Sequence, residues 1–256
     1  SYQTTKSMET SMARLSSGKR INSAADDAAG IQIATRMETE IRGLNQAVRN
    51  AADAQSLLMT TEGALDEVHT ILLRIRELAV QSSNGTYSSQ DRVALQAEVT
   101  DLQSEITRIS NDTTWSGKNL LDGTLSAGIS FQIGADNDQA MTVSIGTIAI
   151  DELSLGGTTI SSAVSAMAYI SIVDAAISII STDRGRYAAS INRLDHAIAN
   201  MQNIATNLSQ SKGRIEDADF AAETANLARV QVLQQASMAM LAQANASKQN
   251  ILSLFQ

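Results

Sequence analysis

The chain has 256 residues, 43% of them hydrophobic but only 3% aromatic, and carries a formal net charge of -8. The acidic balance excludes nucleic acid as the expected partner, and zero cysteines exclude a disulfide framework and cysteine-ligated metal. Ala, Leu, Ile and Val must carry the burial, and with no proline in the chain long helices run unbroken, since proline costs about 3 kcal/mol inside one. No window reads as apolar for long enough to span a bilayer, so membrane insertion is not expected. No cleavable signal peptide is visible. Ser1 opens inside a helical pattern, which places the expected natural N-terminus upstream of it.

Met8, Met12 and Leu15 fall on one face of a first helix over 1–17. The next stretch, 18–30, holds Gly18, Asn22 and Ser23, residues that favour turns and caps. Asn22 or Ser23 is expected to cap a new helix with Asp26 and Asp27 in its first turn, a helix-terminus role rather than a catalytic carboxylate pair. One long helix is predicted over 26–82. Its seam steps by four and three through Met37, Ile41, Leu44, Val48, Ala51, Gln55, Leu58, Glu62, Leu65, His69 and Leu72. SSNGTYSSQD (82–91) reads as a turn, and an antiparallel return helix carries Leu95, Val99, Leu102, Ile106 and Ile109. NDTTWSGKNLLDGT (111–124) closes it with turn chemistry.

In mid-chain, over 125–157, the period drops to two. Ile129, Phe131 and Ile133 alternate with small or polar residues, GADNDQ turns, and Met141, Val143 and Ile145 reply, predicting a β-hairpin. The Asp136–Asp138 run lacks EF-hand spacing and a distal Glu, so it reads as a hairpin turn. A second long helix is predicted over 161–210. Its seam is Val173, Ile177, Ile180, Arg184, Tyr187, Ile191, Leu194, Ile198, Met201, Ala205 and Leu208, with Arg184 expected to snorkel or to pair with a carboxylate. SKGRIEDAD (211–219) breaks the pattern, and a terminal helix follows over 222–256. Val230, Leu233, Ser237, Met240, Ala244, Ser247, Ile251 and Leu254 form its coiled-coil-like stripe. The chain stops on apolar Leu254 and Phe255 before Gln256. Such a helix calls for a partner.

The fold class expected is therefore mainly α: a long antiparallel helical rod (31–212) with coiled-coil-like seams, a small β-hairpin region, and paired terminal helices. No phosphate loop, nucleophile elbow or metal-spaced cluster is present, and His69 and His196 stand alone in helical runs. The expectation is a non-enzyme with no cofactor, metal or catalytic residue.

Three stretches carry a resemblance: ARLSSGKRINSAADDAAG (13–30), TTEGALDEV with RIRELAVQSSNGT (60–86), and NLSQSKGRIEDADFAAETANLARVQVLQQASMAMLAQAN with its closing ILSLF. Together with the FQIGADND hairpin they resemble bacterial flagellin over nearly the whole chain, in a short form with no room for large variable outer domains. The family's first helix begins upstream of Ser1, so this chain is expected to lack its start. The resemblance implies paired terminal helices as an inner coiled coil, spokes at 18–30 and 213–221, and the rod outside them. It implies a self-assembling helical homopolymer, the filament of the bacterial flagellum, exported through the flagellar type III apparatus for motility. Partners implied are neighbouring copies, the filament cap and hook-junction proteins, and an export chaperone on the C-terminal helix. That helix contributes Leu227, Val230, Leu233, Met240, Leu241, Ile251, Leu254 and Phe255. A second patch is similar to the site read by the host Toll-like receptor for flagellin, which also makes the axial subunit contact: Leu72, Arg74, Ile75, Arg76, Glu77, Leu78, Gln81 and Glu98. Its bland reading is helix packing and i,i+3 ion pairs. The alternatives are a hook–filament junction protein, against which the IEDAD…ILSLF ending counts, and a flagellin-like cell-surface binding protein. A membrane-active helix is a further class, disfavoured because Lys248 is the only basic residue after Arg229.

Overall fold

The computed structural model describes residues 2–254, with side-chain surroundings described through 247. The helical repeats form α1 (Tyr2–Ser17), α2 (Ala28–Ser83), α3 (Ser89–Asp112), α4 (Ala163–Glu216) and α5 (Phe220–Leu254), with short strands between α3 and α4. Two compact units result, one from Ser1–Arg42 with Ile204–Gln256 and the other from Gly43–Asn203.

In the second unit the buried face of α2 is an unbroken heptad ladder. Leu44, Ala47, Ala51, Ala54, Leu58, Thr61, Leu65, Val68, Leu72, Ile75, Ala79 and Ser82 are all buried and step by three and four. The expected seam shares Leu44, Ala51, Leu58, Leu65 and Leu72 with it, but Val48, Gln55, Glu62 and His69 lie half-buried on its flank. The same offset occurs on α4. Ala166, Tyr169, Val173, Ala176, Ile180, Tyr187, Leu194 and Met201 are buried, whereas Ile177, Arg184, Ile191 and Ile198 are half-buried. Small members such as Ala47, Ala51 and Ala54 are interspersed with large ones such as Leu65, Val68, Leu72 and Ile75; the small ones let helices approach closely while the large ones fill the space.

The flanks carry the polar pairs, and these define the alignment. Gln55 donates to Asp195 at 2.8 Å, Arg184 meets Glu62 at 2.7 Å and Asp66 at 2.9 Å, and Arg76 meets Asp174 at 2.6 Å. Numbers rise on α2 as they fall on α4, so the helices run antiparallel. Partly exposed ion pairs contribute about 0–1 kcal/mol each, against about 1.5–3 kcal/mol for burying one Leu or Val side chain. The ladder therefore supplies the stability and the pairs select the register. A one-heptad slip would strand Arg184 and move Asp195 from Gln55 to either Glu62 or Val48.

Helix α3 begins with a capping box between Ser88 and Asp91 and buries Val99, Ile106 and Ser110. Its Gln103 amide donates to the Tyr169 hydroxyl and to the Leu155 carbonyl, both at 2.8 Å. Strands β3 (Ile129–Gln132) and β4 (Ala140–Val143) pair antiparallel, with Ile129 opposite Val143 and Phe131 opposite Met141, as the alternation predicts. A second two-stranded pair, β1 (Thr114–Trp115) with β2 (Lys118–Asn119), was not expected. Ser116 (φ 48°) and Gly117 (φ 80°) form its turn, both left-handed as a tight hairpin requires. The Ser-Gly dipeptide was the available signal.

Two expectations fail on α4. An 18-residue window of this helix is long and apolar enough to cross a membrane by length and composition, with 28% of the window buried. In the folded unit its Ala166, Tyr169, Val173 and Ala176 enter the ladder and its Asp174 is paired, so one amphipathic face accounts for part of that apolarity. The predicted break at 213 is also absent. Helix α4 continues to Glu216, with Asp217 N–H bonding the Gly213 carbonyl at 2.8 Å. At Gly213 a Cβ would lie 2.7 Å from an Asp217 carboxylate oxygen, so that side chain would have to shift. The break is confined to 217–219.

Within the first unit the Lys212 ammonium donates to Glu38, which Arg42 also contacts at 2.7 Å. The Lys212 hydrogen bond, then that of Arg42, holds the Glu38 carboxyl down from 4.5 to about 2.

Leu194→Ala should lower unfolding stability by about 2–5 kcal/mol in urea titrations, whereas Val164→Ala, at a position 78% exposed, should stay within about 0.5 kcal/mol of the parent; matching midpoints for the two would refute the ladder. The depressed carboxyl of Glu38 stabilises the fold above its unfolded value of 4.5, and the gain is lost as pH falls toward about 2. Acid-unfolding curves of Glu38→Gln should thus lie below the parent at neutral pH and converge with it below pH 4.5; a constant gap down to the acid limit would contradict the assignment.

Candidate functional site

The first unit brings the two chain ends together. Helices α1 and α5 pack against each other. On α1 the covered face is Thr4, Met8, Ser11 and Leu15, with Ser11 buried; Met12, expected on that face, is 56% exposed. On α5 the covered face is Glu223, Leu227, Val230, Gln234 and Ser237. The predicted α5 stripe therefore divides. Leu227 and Val230 face the pair, while Leu233 (51% exposed) and Met240 (71%) lie off that stripe, as do Val232 and Met238, and Leu241 (50%) continues the stripe beyond its covered part. The covered side mixes Met8, Leu15, Leu227 and Val230 with small and polar residues, while further large apolar residues stay exposed. Ile251 and Leu254 belong to α5, but their side chains, like Phe255, lie outside the described residues.

The two breaks are joined below this pair. Gly18 adopts φ 71°, turning the chain so that Lys19 bridges Asp217. Arg20 N–H donates to the Glu216 carbonyl at 2.6 Å, and Ala218 N–H donates to the Gly18 carbonyl at 3.0 Å. Side chains reinforce the backbone: Lys19 meets Glu216 at 3.0 Å, the Arg20 guanidinium donates to the Ile215 carbonyl at 2.8 Å, and Arg14 approaches Glu223 at 3.8 Å. Asp26 accepts from Ser23 N–H at 2.9 Å and Asn22 N–H at 3.1 Å; the Ser23 bond leads in holding its carboxyl below the usual range. Asp27 accepts from Gly30 N–H at 2.9 Å. Contrary to expectation, neither Asn22 nor Ser23 caps the helix: α2 starts at Ala28 with no acidic residue in its first turn, so Asp27, directly before it, takes the capping place and Asp26 holds the preceding turn. The Gly18–Arg20 junction with Glu216–Ala218 was not named from sequence, although GKR and GRIED, each beside a break, were its signal.

The second patch, on the other unit, separates into a core and a rim. Leu72, Ile75 and Leu78 are fully buried and cannot be part of a contact surface; they are members or neighbours of the α2 ladder. Arg74, Arg76, Glu77, Gln81 and Glu98 carry the outward chemistry. Arg74 bonds Glu98 at 2.9 Å and Glu77 at 3.2 Å, Arg76 is committed to Asp174, and Gln81 donates to the Tyr87 hydroxyl at 3.0 Å. Exposed Leu73 and Val80, absent from the predicted set, add apolar area beside them.

Residues 2–126 match the bacterial flagellin N-terminal helical region, and residues 170–255 match the bacterial flagellin C-terminal helical region. A flagellin of Halalkalibacterium halodurans is 42% identical over 247 residues, covering 96% of this chain and 90% of its own. A flagellar filament core protein, flaB2, of Brachyspira hyodysenteriae is 42% identical over 259 residues, covering 96% and 91%. Among solved structures, the crystal structure of Bacillus cereus flagellin aligns with TM-score 0.55 and 33% identity over 64% of this chain and 94% of that one. The terminal helix pair and the helical ladder, matched at both ends of the sequence, make this chain a member of the bacterial flagellin family.

Proposed function

We propose that the chain is the repeating structural subunit of a bacterial flagellar filament, a homopolymer outside the cell that serves motility. The supporting observation is the set of large apolar side chains that α5 leaves exposed, Val232 and Leu233 beside the stripe that α1 covers and Met238, Met240 and Leu241 further along the helix. Exposed apolar surface of this extent marks an interaction site. A contact between unlike faces of identical copies, repeated by a rotation that does not close, yields an open helical filament. In this reading α1 and α5 form the inner layer, the stretches 18–30 and 217–219 the spokes, and the helical ladder the outer layer. The subunit performs no catalysis and holds no cofactor.

The route out is the flagellar type III apparatus, with an export chaperone masking α5 beforehand. Because Leu227 and Val230 lie against α1, a chaperone that grips them replaces α1 on that face, keeping the two ends apart until release. The growing end engages the filament cap, and the base engages the hook-junction proteins. Arg74, Glu77, Gln81 and Glu98, with Arg76 at their edge, form the patch for the host Toll-like receptor and for the next subunit along a protofilament. Leu72, Ile75 and Leu78 hold its shape from beneath.

Seeded assembly tests the main reading: the chain is added to short filament seeds, sedimented and imaged by negative stain. Growth is expected, and Leu233→Asp should abolish it while leaving the helical circular-dichroism signal intact, since Leu233 lies off the α1 face. Normal filaments from the variant would place assembly elsewhere. For the patch, Arg74→Ala and Glu98→Ala should each weaken binding of the monomer to the receptor ectodomain several-fold by surface plasmon resonance; unchanged affinity in both removes the patch from the proposal.

A further inference from the structure

The turn between α2 and α3 holds an Asn84–Gly85 pair whose surroundings favour a reaction of the chain with itself. Asn84, Gly85 and Thr86 are all exposed. The Gly85 N–H makes no hydrogen bond among the described residues, although its neighbours do: Asn84 N–H bonds the Gln81 carbonyl and Tyr87 N–H the Asn84 carbonyl. Thr86 N–H donates to the Asn84 side-chain oxygen at 3.3 Å. Arg92 gathers the turn, donating to the carbonyls of Ser82 (2.8 Å), Tyr87 (2.8 Å) and Asn84 (2.9 Å). A main-chain nitrogen without a partner, with no side chain on its own residue, therefore adjoins an amide whose carbonyl is already polarised.

We propose that Asn84–Gly85 is a self-modification site, converting Asn84 to aspartate and isoaspartate through a cyclic succinimide. Hydroxide removes the Gly85 amide proton, and the nitrogen attacks Cγ of Asn84 to form a new C–N bond. The carbon that becomes tetrahedral bears its negative charge on the oxygen that Thr86 N–H already bonds. The Cγ–Nδ2 bond then breaks and the nitrogen leaves as ammonia after taking a proton from water. Water opens the ring. Cleavage of the new bond gives aspartate, and cleavage of the original peptide bond gives isoaspartate, with the main chain rerouted through Cγ. No oxidation or cofactor enters.

Two other dipeptides serve as internal controls. Asn22 precedes a small residue as well, but Ser23 N–H is held by the Asp26 carboxylate at 2.9 Å, which withdraws the nucleophile. Asp122–Gly123 has the same Asx-type contact, Thr124 N–H to Asp122 at 2.9 Å. Hydrogen bonds from the Thr124 hydroxyl and N–H hold that carboxyl in its ionised form, which is a poor electrophile. Conversion at Asn84 would set a negative charge beyond the C-terminus of α2, where the helix dipole disfavours it, and isoaspartate would lengthen the main chain that Arg92 gathers.

The test incubates the folded, full chain in mildly alkaline buffer and follows each asparagine by peptide mapping, with isoaspartate methyltransferase labelling the rerouted product. Acid forms should accumulate at Asn84 in proportion to hydroxide concentration, while the Asn22 peptide stays in its amide form. Gly85→Ala should slow the conversion several-fold at an unchanged melting temperature. It is a clean variant, because a Cβ there meets nothing within 4 Å and Gly85 is not in a positive-φ conformation. Conversion at Asn84 no faster than at Asn22, or equal in Gly85→Ala and parent, would overturn the proposal.

Discussion

With only 3% aromatic residues, the two long helices of 56 and 54 residues cannot be organised by large rings filling a compact core. What organises the larger unit is the antiparallel ladder of α2 and α4, in which Leu, Ile, Val and two tyrosines are interspersed with Ala, Thr and Ser. Stability accumulates in small, similar increments along such a seam, and its position is distributed rather than anchored at one residue. That creates a difficulty a round core does not have, because a heptad repeat matches itself after every seven residues. The flank pairs Gln55–Asp195, Glu62–Arg184 and Arg76–Asp174 break this degeneracy. Each is weak as a source of stability. As a set they make one alignment cheaper than its neighbours. The features mounted on the ladder depend on that alignment, among them the Arg74–Glu98 pair and the Tyr169–Gln103 contact that ties in α3.

The smaller unit follows a different principle. Its α1–α5 pair has a covered face of mixed character, with Ser11, Thr4, Gln234 and Ser237 among Met8, Leu15, Leu227 and Val230. Backbone hydrogen bonds at the junction of Gly18–Arg20 with Glu216–Ala218 contribute directionality that the side chains lack. The outcome is a helix pair held at one end by a specific junction and left with several large apolar side chains of α5 exposed. A monomer with such a surface is incomplete, which is the physical condition for a subunit. The larger unit keeps its apolar residues mostly inward, so burial in one unit stabilises the chain and exposure in the other favours association.

The long periodic runs made the helices, their approximate ends and the antiparallel return legible in the sequence, and the period-two stretch made β3 and β4 legible. Composition also sufficed to read the chain as built from helices rather than rings. The resemblance to flagellin rested on motifs at both ends, and the family matches fall on the same two regions. The contact residues were less accessible. The resemblance alone assigns Leu72, Ile75 and Leu78 to a surface patch, yet on a helix they point to a different side from Arg74 and Glu77 and are buried.

What the sequence by itself determined is the periodicity, and with it the class of fold, since a 3.5-residue repeat without proline has a helix as its natural solution. Only the tertiary structure decided where around each helix the centre of that repeat lies. Val48 and Ala47, Gln55 and Ala54, Glu62 and Thr61, Ile177 and Ala176 are adjacent positions separated by about 100° on a helical surface, and either choice preserves the repeat. Hydrophobicity favours Val48 and Ile177, but close helix approach favours the alanines, and that preference exists only once a second helix is present. The same reasoning divides α5: Leu233 and Val230 are equivalent members of one stripe until α1 covers the side that holds Val230 and leaves Leu233 to solvent.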